Sequence, residues 1–156
     1  RPQTAPPPDT PAVPADTNIL QWDGIIFGPP NSPWEGGIFK LTLTFTEAYP
    51  YTPPTVRFLT KIFHPNIDPD GGTIGLTILE EDWNPVYDVM AILISIQSIL
   101  CHPLVVPPRS RYYGSDEAQM LFVEDRMEYD RRVRMTVVEQ LQLEQQLQQL
   151  QQKQNL

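Results

Sequence analysis

Along IFKLTLTFT, residues 38–46, apolar and polar positions alternate without a break. Phe39, Leu41, Leu43 and Phe45 fall on one side, Lys40, Thr42, Thr44 and Thr46 on the other. A period of two places one strand face in a core and the other in water, as in an antiparallel sheet. β-Rich runs lie on either side of it. NILQWDGIIF, residues 18–27, leads into the turn-forming cluster GPPNSPWEGG, and TVRFL, residues 55–59, follows the break YPYTPP. TIGLTIL, residues 73–79, predicts a short fourth strand.

The period then changes. In DVMAILISIQSIL, residues Val89, Ile92, Leu93, Ile96, Ile99 and Leu100 recur at helical steps and form one apolar stripe. Met90, Ala91 and Ile94 widen the stripe and predict a helix buried on most sides. CHPLVVPPRSRYYG ends that helix. Ser115, followed by Asp116 and Glu117, marks the start of another, since acids favour the positive end of the helix dipole. The pattern lets this helix run on into VVEQLQLEQQLQQLQQKQNL. Strands first and helices afterwards predict an α+β fold: a four-stranded antiparallel meander packed against a central helix and C-terminal helices.

Composition sharpens the boundaries. The chain has 156 residues and 40% apolar content, enough for one domain with one sizeable core. Six of its 18 prolines fall in residues 1–18, where a fixed φ and a missing amide proton predict an extended or disordered lead-in. The domain then covers residues 19–138, and a glutamine-rich helical tail covers 139–156. A net charge of −8 lacks the electrostatic footprint of a nucleic-acid binder. No apolar run approaches the roughly 20 residues needed to cross a bilayer, and no secretory signal pattern opens the chain. One cysteine, Cys101, and two histidines, His64 and His102, are too few soft ligands for a typical zinc site, so neither metal nor cofactor is expected. These features suggest an intracellular domain that works on other proteins, in cytosol or nucleus or within a cytoplasmic or cytoskeletal assembly.

The stretch HPNIDPDGGTIGLTIL, residues 64–79, has the layout of a reactive site. With FGPPNSPWEGGIFKLTLTF, YPYTPPTVRF and DWNPVYDVMAILISIQSIL, it resembles the ubiquitin-conjugating enzymes. The motifs occur in the family's order and roughly its spacing, over about residues 19–138. The resemblance implies the family's fold, although its first helix has no counterpart within these residues. It also implies a cysteine a few residues after His64, Pro65 and Asn66, within Ile-Cys-Leu. That cysteine accepts ubiquitin as a thioester and passes it to a substrate lysine, usually with a ubiquitin ligase. Here the triplet is Ile74-Gly75-Leu76, reached by allowing one extra residue at Gly71-Gly72.

Gly75 therefore stands at the cysteine position. Thioester transfer needs a sulfur that ionises at accessible pH, and glycine offers no side-chain atom. Thr77 replaces the family's common Asp, and LVVPPRSRYYGS is longer than the family's loop after the central helix. The expectation is a chain that is not an enzyme, with a degenerate site in which His64, Pro65 and Asn66 are retained. It would serve as a protein-binding module or as a structural subunit of an assembly. The alternative is a ubiquitin-conjugating enzyme, or a cofactor-like variant taking part in ubiquitin transfer with an active partner. Asn66 has two readings, as a donor to an oxyanion or as a brace for its loop. The missing nucleophile favours the brace.

Candidate partner contacts follow from the same resemblance. The family presents ligases with a surface matched here by Tyr51, Pro53, Pro54, Trp83, Pro85 and Val86. The tail is either a solvated helix end or a docking helix using Val137, Leu141, Leu143, Leu147 and Leu150. The partners expected are other proteins: assembly subunits, ubiquitin, a ubiquitin ligase or an active conjugating enzyme.

Overall fold

The structure, a computed structural model, describes residues 12–15 and 18–155, with side-chain detail from Leu20 onward. Four strands, β1 (Ala12–Ala15), β2 (Asn18–Phe27), β3 (Ile38–Thr44) and β4 (Thr55–Phe58), pair antiparallel in chain order. The expected alternation holds in β3, where Phe39, Leu41 and Leu43 are fully buried. Register places Trp22 opposite Leu43 and Ile26 opposite Phe39, so one face of the β2–β3 hairpin carries the core. Between these pairs Gly24 lies opposite Leu41, whose side chain fills the room a Cβ there would take. The hairpin closes with the Gly28 amide donating to the Gly37 carbonyl at 2.9 Å, and Gly36 takes a φ of 85° that suits glycine.

Three of the four expected strands form, as β2, β3 and β4. The predicted strand over residues 73–79 does not. Thr73 and Ile74 make isolated bridges to Arg57 and Ile67, and Thr77–Leu79 is a single 3-10 turn. The reason is local. The Gly75 amide donates to the Asn66 carbonyl at 2.8 Å, so it is spent on a loop rather than on a ladder. The sheet gains a different edge instead: Ala12–Ala15, inside the proline-rich segment, pairs with β2. Its register slips between Pro14 and Ala15, and an edge strand is where a residue without an amide proton is tolerated. The rest of the proline-rich segment lies outside the described residues.

Helix α1 (Val89–Cys101) starts on Asp88, whose side chain accepts from the Ala91 amide at 2.8 Å. It buries the predicted stripe of Val89, Ile92, Leu93, Ile96, Ile99 and Leu100 in the core. Each such side chain contributes about 1.5–3 kcal/mol by leaving water. The helix is not buried on most sides: Ile94 is 57% exposed, and Met90 and Ala91 are only partly buried. Helix α2 (Asp116–Glu124) is capped by Ser115 as its sequence predicts. It does not run on as one helix. Asp125 closes α2 with its amide on the Leu121 carbonyl, then caps α3 (Arg126–Gln154) by accepting from the Glu128 amide. Tyr129, Val133 and Val137 bury the near half of α3. Among the described residues no helix is long and apolar enough to cross a membrane.

Candidate functional site

His64, Pro65 and Asn66 sit beneath the loop of residues 102–115 that follows α1. The His64 ring is fully buried, with Nε2 2.7 Å from the Ile99 carbonyl and Nδ1 3.0 Å from the Asn66 amide. The amide can only donate, so Nδ1 accepts and Nε2 carries the proton toward Ile99. The neutral ring thus satisfies one of the orphan carbonyls in the last turn of α1. Burial lowers the His64 pKa to about 4, against a weaker opposing effect of the Ile99 carbonyl.

Asn66 is 1% exposed and fully engaged. Its Nδ2 donates to the Leu104 carbonyl at 2.8 Å and the Tyr112 carbonyl at 2.7 Å, and its Oδ1 accepts from the Leu104 amide at 2.8 Å. Both ends of the loop are held by one side chain. Two backbone bonds add to the seam: Gly114 N–H to Pro65 O at 2.5 Å, and Ser115 N–H to His64 O at 3.3 Å. With both amide hydrogens occupied, Asn66 has no donor left for an oxyanion in this arrangement. The geometry is that of a brace.

Gly75 is buried, and the backbone of Tyr112 fills the space where its Cβ would project. A clasp holds that loop down from outside. Arg111 pairs with Glu80 at 3.1 Å and with Glu81 at 2.9 Å, while the Tyr112 hydroxyl donates to Glu81. The bond from Tyr112 lowers the Glu81 pKa, and the bond to Glu81 raises that of Tyr112. Thr77 lies in the 3-10 turn just before this acidic pair. Arg111, Tyr112, Glu80 and Glu81 escaped the sequence reading. Their only signal was a basic loop and an acidic pair of matching charge. Among the described residues, no group of three or more His, Cys, Asp or Glu could hold a metal ion.

The candidate contact surface divides. Trp83 is half-buried and donates from Nε1 to the Pro50 carbonyl at 3.0 Å, tying residues 49–54 to residues 83–87. Its ring packs tilted against Tyr49 and edge-on against Tyr87. Pro54 is buried, so it supports the surface rather than presenting it, and Pro53 is partly covered. Tyr51, Pro85 and Val86 stand outward, Tyr51 81% and Val86 78% exposed. The Asn84 side chain accepts from the Val86 amide and fixes that turn.

The tail also divides. Val137 is buried and Leu141 packs against the core, so these two are structural and not docking residues. Leu143, Leu147 and Leu150 are about half exposed, and the Lys40–Glu144 ion pair of 2.9 Å ties this stretch of α3 to β3. Cys101, at the end of α1, lines a different cleft with Trp34 and Tyr129.

Residues 1–137 match the family model described as ubiquitin-conjugating enzyme. "Ubiquitin-conjugating enzyme E2 3" of Arabidopsis thaliana is 50% identical over 138 residues, 88% of this chain and 87% of that protein. "Ubiquitin-conjugating enzyme E2 1" of Caenorhabditis elegans is 49% identical over 135 residues, 86% of this chain and 67% of that protein. A solved ubiquitin conjugating enzyme E2 domain from Toxoplasma gondii superposes with a TM-score of 0.73 at 33% identity, covering 81% of this chain and 83% of that one. These relatives overturn the expectation of a chain that is not an enzyme, since proteins half identical over most of its length are named as enzymes. Nothing in these comparisons shows inactivity. A structural role in an assembly finds no support among them.

Proposed function

Because the chain belongs to the ubiquitin-conjugating enzyme family, we propose that it takes part in ubiquitin transfer together with an active conjugating enzyme. The observation that carries this reading is the half-identical relatives, named as ubiquitin-conjugating enzymes and matched along most of the chain. Transfer needs a sulfur to hold ubiquitin as a thioester. Residue 75 is glycine, and the Tyr112 backbone fills its side-chain space, so in this reading the partner enzyme supplies the thiol. This chain contributes a rigid frame, braced by His64 and Asn66, and the outward surface of Tyr51, Pro85 and Val86 toward a ligase or the partner enzyme.

The test is calorimetric titration of ubiquitin, and separately of an active conjugating enzyme, into the chain. Saturable binding of at least one is expected, and no heat with either contradicts the proposal. Incubation with activating enzyme, ATP and ubiquitin locates the sulfur. A reductant-sensitive adduct on this chain, lost in Cys101→Ser, would move the acceptor from the partner to Cys101.

A further inference from the structure

From Gln145 to its end at Gln154, α3 has no residue buried against the body of the protein. Helices owe most of their stability in proteins to the packing of an apolar face. Such a face is present here. Leu143, Leu147 and Leu150, with Thr136, Gln140 and Gln154, step by three and four, as positions a and d of a heptad repeat. This stripe is not the face that α3 already buries, since Val137 and Leu141 lie on the body side, each one position further on than Thr136 and Gln140. The stripe begins at a cleft of about 400 Å³, lined by Thr136, Gln140 and Leu143 together with Leu59, which is exposed. The wall of that cleft is mostly apolar.

We propose that the stripe is the contact of a homodimer, in which α3 of a second copy lies antiparallel against it. The charges select both this occupant and its direction. Between Gln140 and Gln154 the only charged side chains are Glu144 and Lys153, so two copies meet through leucine and glutamine despite a net charge of −8 on each chain. A two-fold antiparallel register sets Leu143 against the second copy's Leu147, and Gln140 against its Leu150, each contact made twice. The second copy's Leu150 then enters the cleft beside Leu59 and Leu143. Position g of one helix faces position g of the other, so Glu139 meets the second copy's Lys153. Neither Glu139 nor Lys153 has an ion-pair partner within the described chain. At position e, Glu144 meets its own counterpart, but Lys40 offsets each charge at 2.9 Å. A parallel register would instead set Glu139 against the second copy's Glu144, a like-charge pair made twice, and leave Lys153 without an acid.

Sedimentation equilibrium of the full chain, from about 1 to about 300 µM, should show one chain passing to two. Leu147→Asp puts a charge in the stripe, away from the body, and should keep the chain single over that range. The charge pair reads out the direction. Glu139→Lys alone and Lys153→Glu alone should each weaken dimerisation about tenfold, and the double swap should restore it to within about twofold. A chain that stays single at every concentration overturns the proposal and leaves the stripe to a different protein. A dimer that survives Leu147→Asp also overturns it, as does one that Glu139→Lys leaves unchanged or strengthens, the result expected of a parallel pair.

Discussion

The backbone of Tyr112 lies against Gly75, in the room that any side chain at residue 75 would enter. Neither partner yields easily, because the Tyr112 carbonyl is bonded to Asn66 Nδ2 and the Gly75 amide to the Asn66 carbonyl. Gly75→Ala should therefore destabilise by about 1–3 kcal/mol, the usual cost of overpacking. Urea unfolding of the purified variant measures it. The cost should shrink in a chain that also carries Asn66→Ala, since the loop is then free to move, and simple additivity would contradict the coupling.

Asn66→Ala removes three bonds at once. It leaves the Leu104 amide and the carbonyls of Leu104 and Tyr112 without their protein partner. A loss of about 2–4 kcal/mol is expected, read by urea unfolding, together with faster amide exchange across residues 102–114. Exchange that stays as slow as in the parent would mean that the Arg111–Glu81 clasp alone holds the loop.

His64 sets an acid limit. Burial lowers its pKa from 6.5 to about 4, so between those values the unfolded chain binds a proton that the folded chain excludes. The unfolded state then binds more protons, and stability falls as pH drops through that window. The full difference corresponds to on the order of 3 kcal/mol, complete near pH 4 and absent above the unfolded value. Urea midpoints between pH 8 and pH 4 measure the fall. His64→Gln, having no proton to gain, should show a shallower fall whatever its stability at pH 8.

The outward surface separates function from folding. Val86→Asp and Tyr51→Ala change highly exposed side chains, so stability should move by no more than about 0.5 kcal/mol while ligase-stimulated ubiquitin transfer declines. Trp83→Ala should instead cost about 2–4 kcal/mol, because it removes packing and the bond to Pro50. Thermal melts beside transfer rates distinguish the two classes. Equal loss of stability in all three variants would place Tyr51 and Val86 in the fold rather than on a contact.

Local pattern read well where one neighbour decides the outcome. The alternation of β3, the stripe of α1 and the cap at Ser115 all depend on residues a few positions apart. It failed where a distant segment competes. TIGLTIL reads as a strand until Asn66 takes the Gly75 amide, and the proline-rich lead-in reads as unpaired until β2 offers an edge. One helix became two because Asp125 can both end and begin a helix. The site followed the same division. His64, Pro65 and Asn66 were visible as a motif, whereas the Tyr112 plug rests on contacts across some forty residues that no local spacing encodes.

The most direct measurement reconstitutes transfer from activating enzyme, ATP, ubiquitin, a ligase and an active conjugating enzyme, with this chain added in increasing amount. The rate of ubiquitin attachment to substrate lysines should rise and saturate as the chain is added. A rate that is unchanged or lowered at every concentration would contradict a part for it in that transfer.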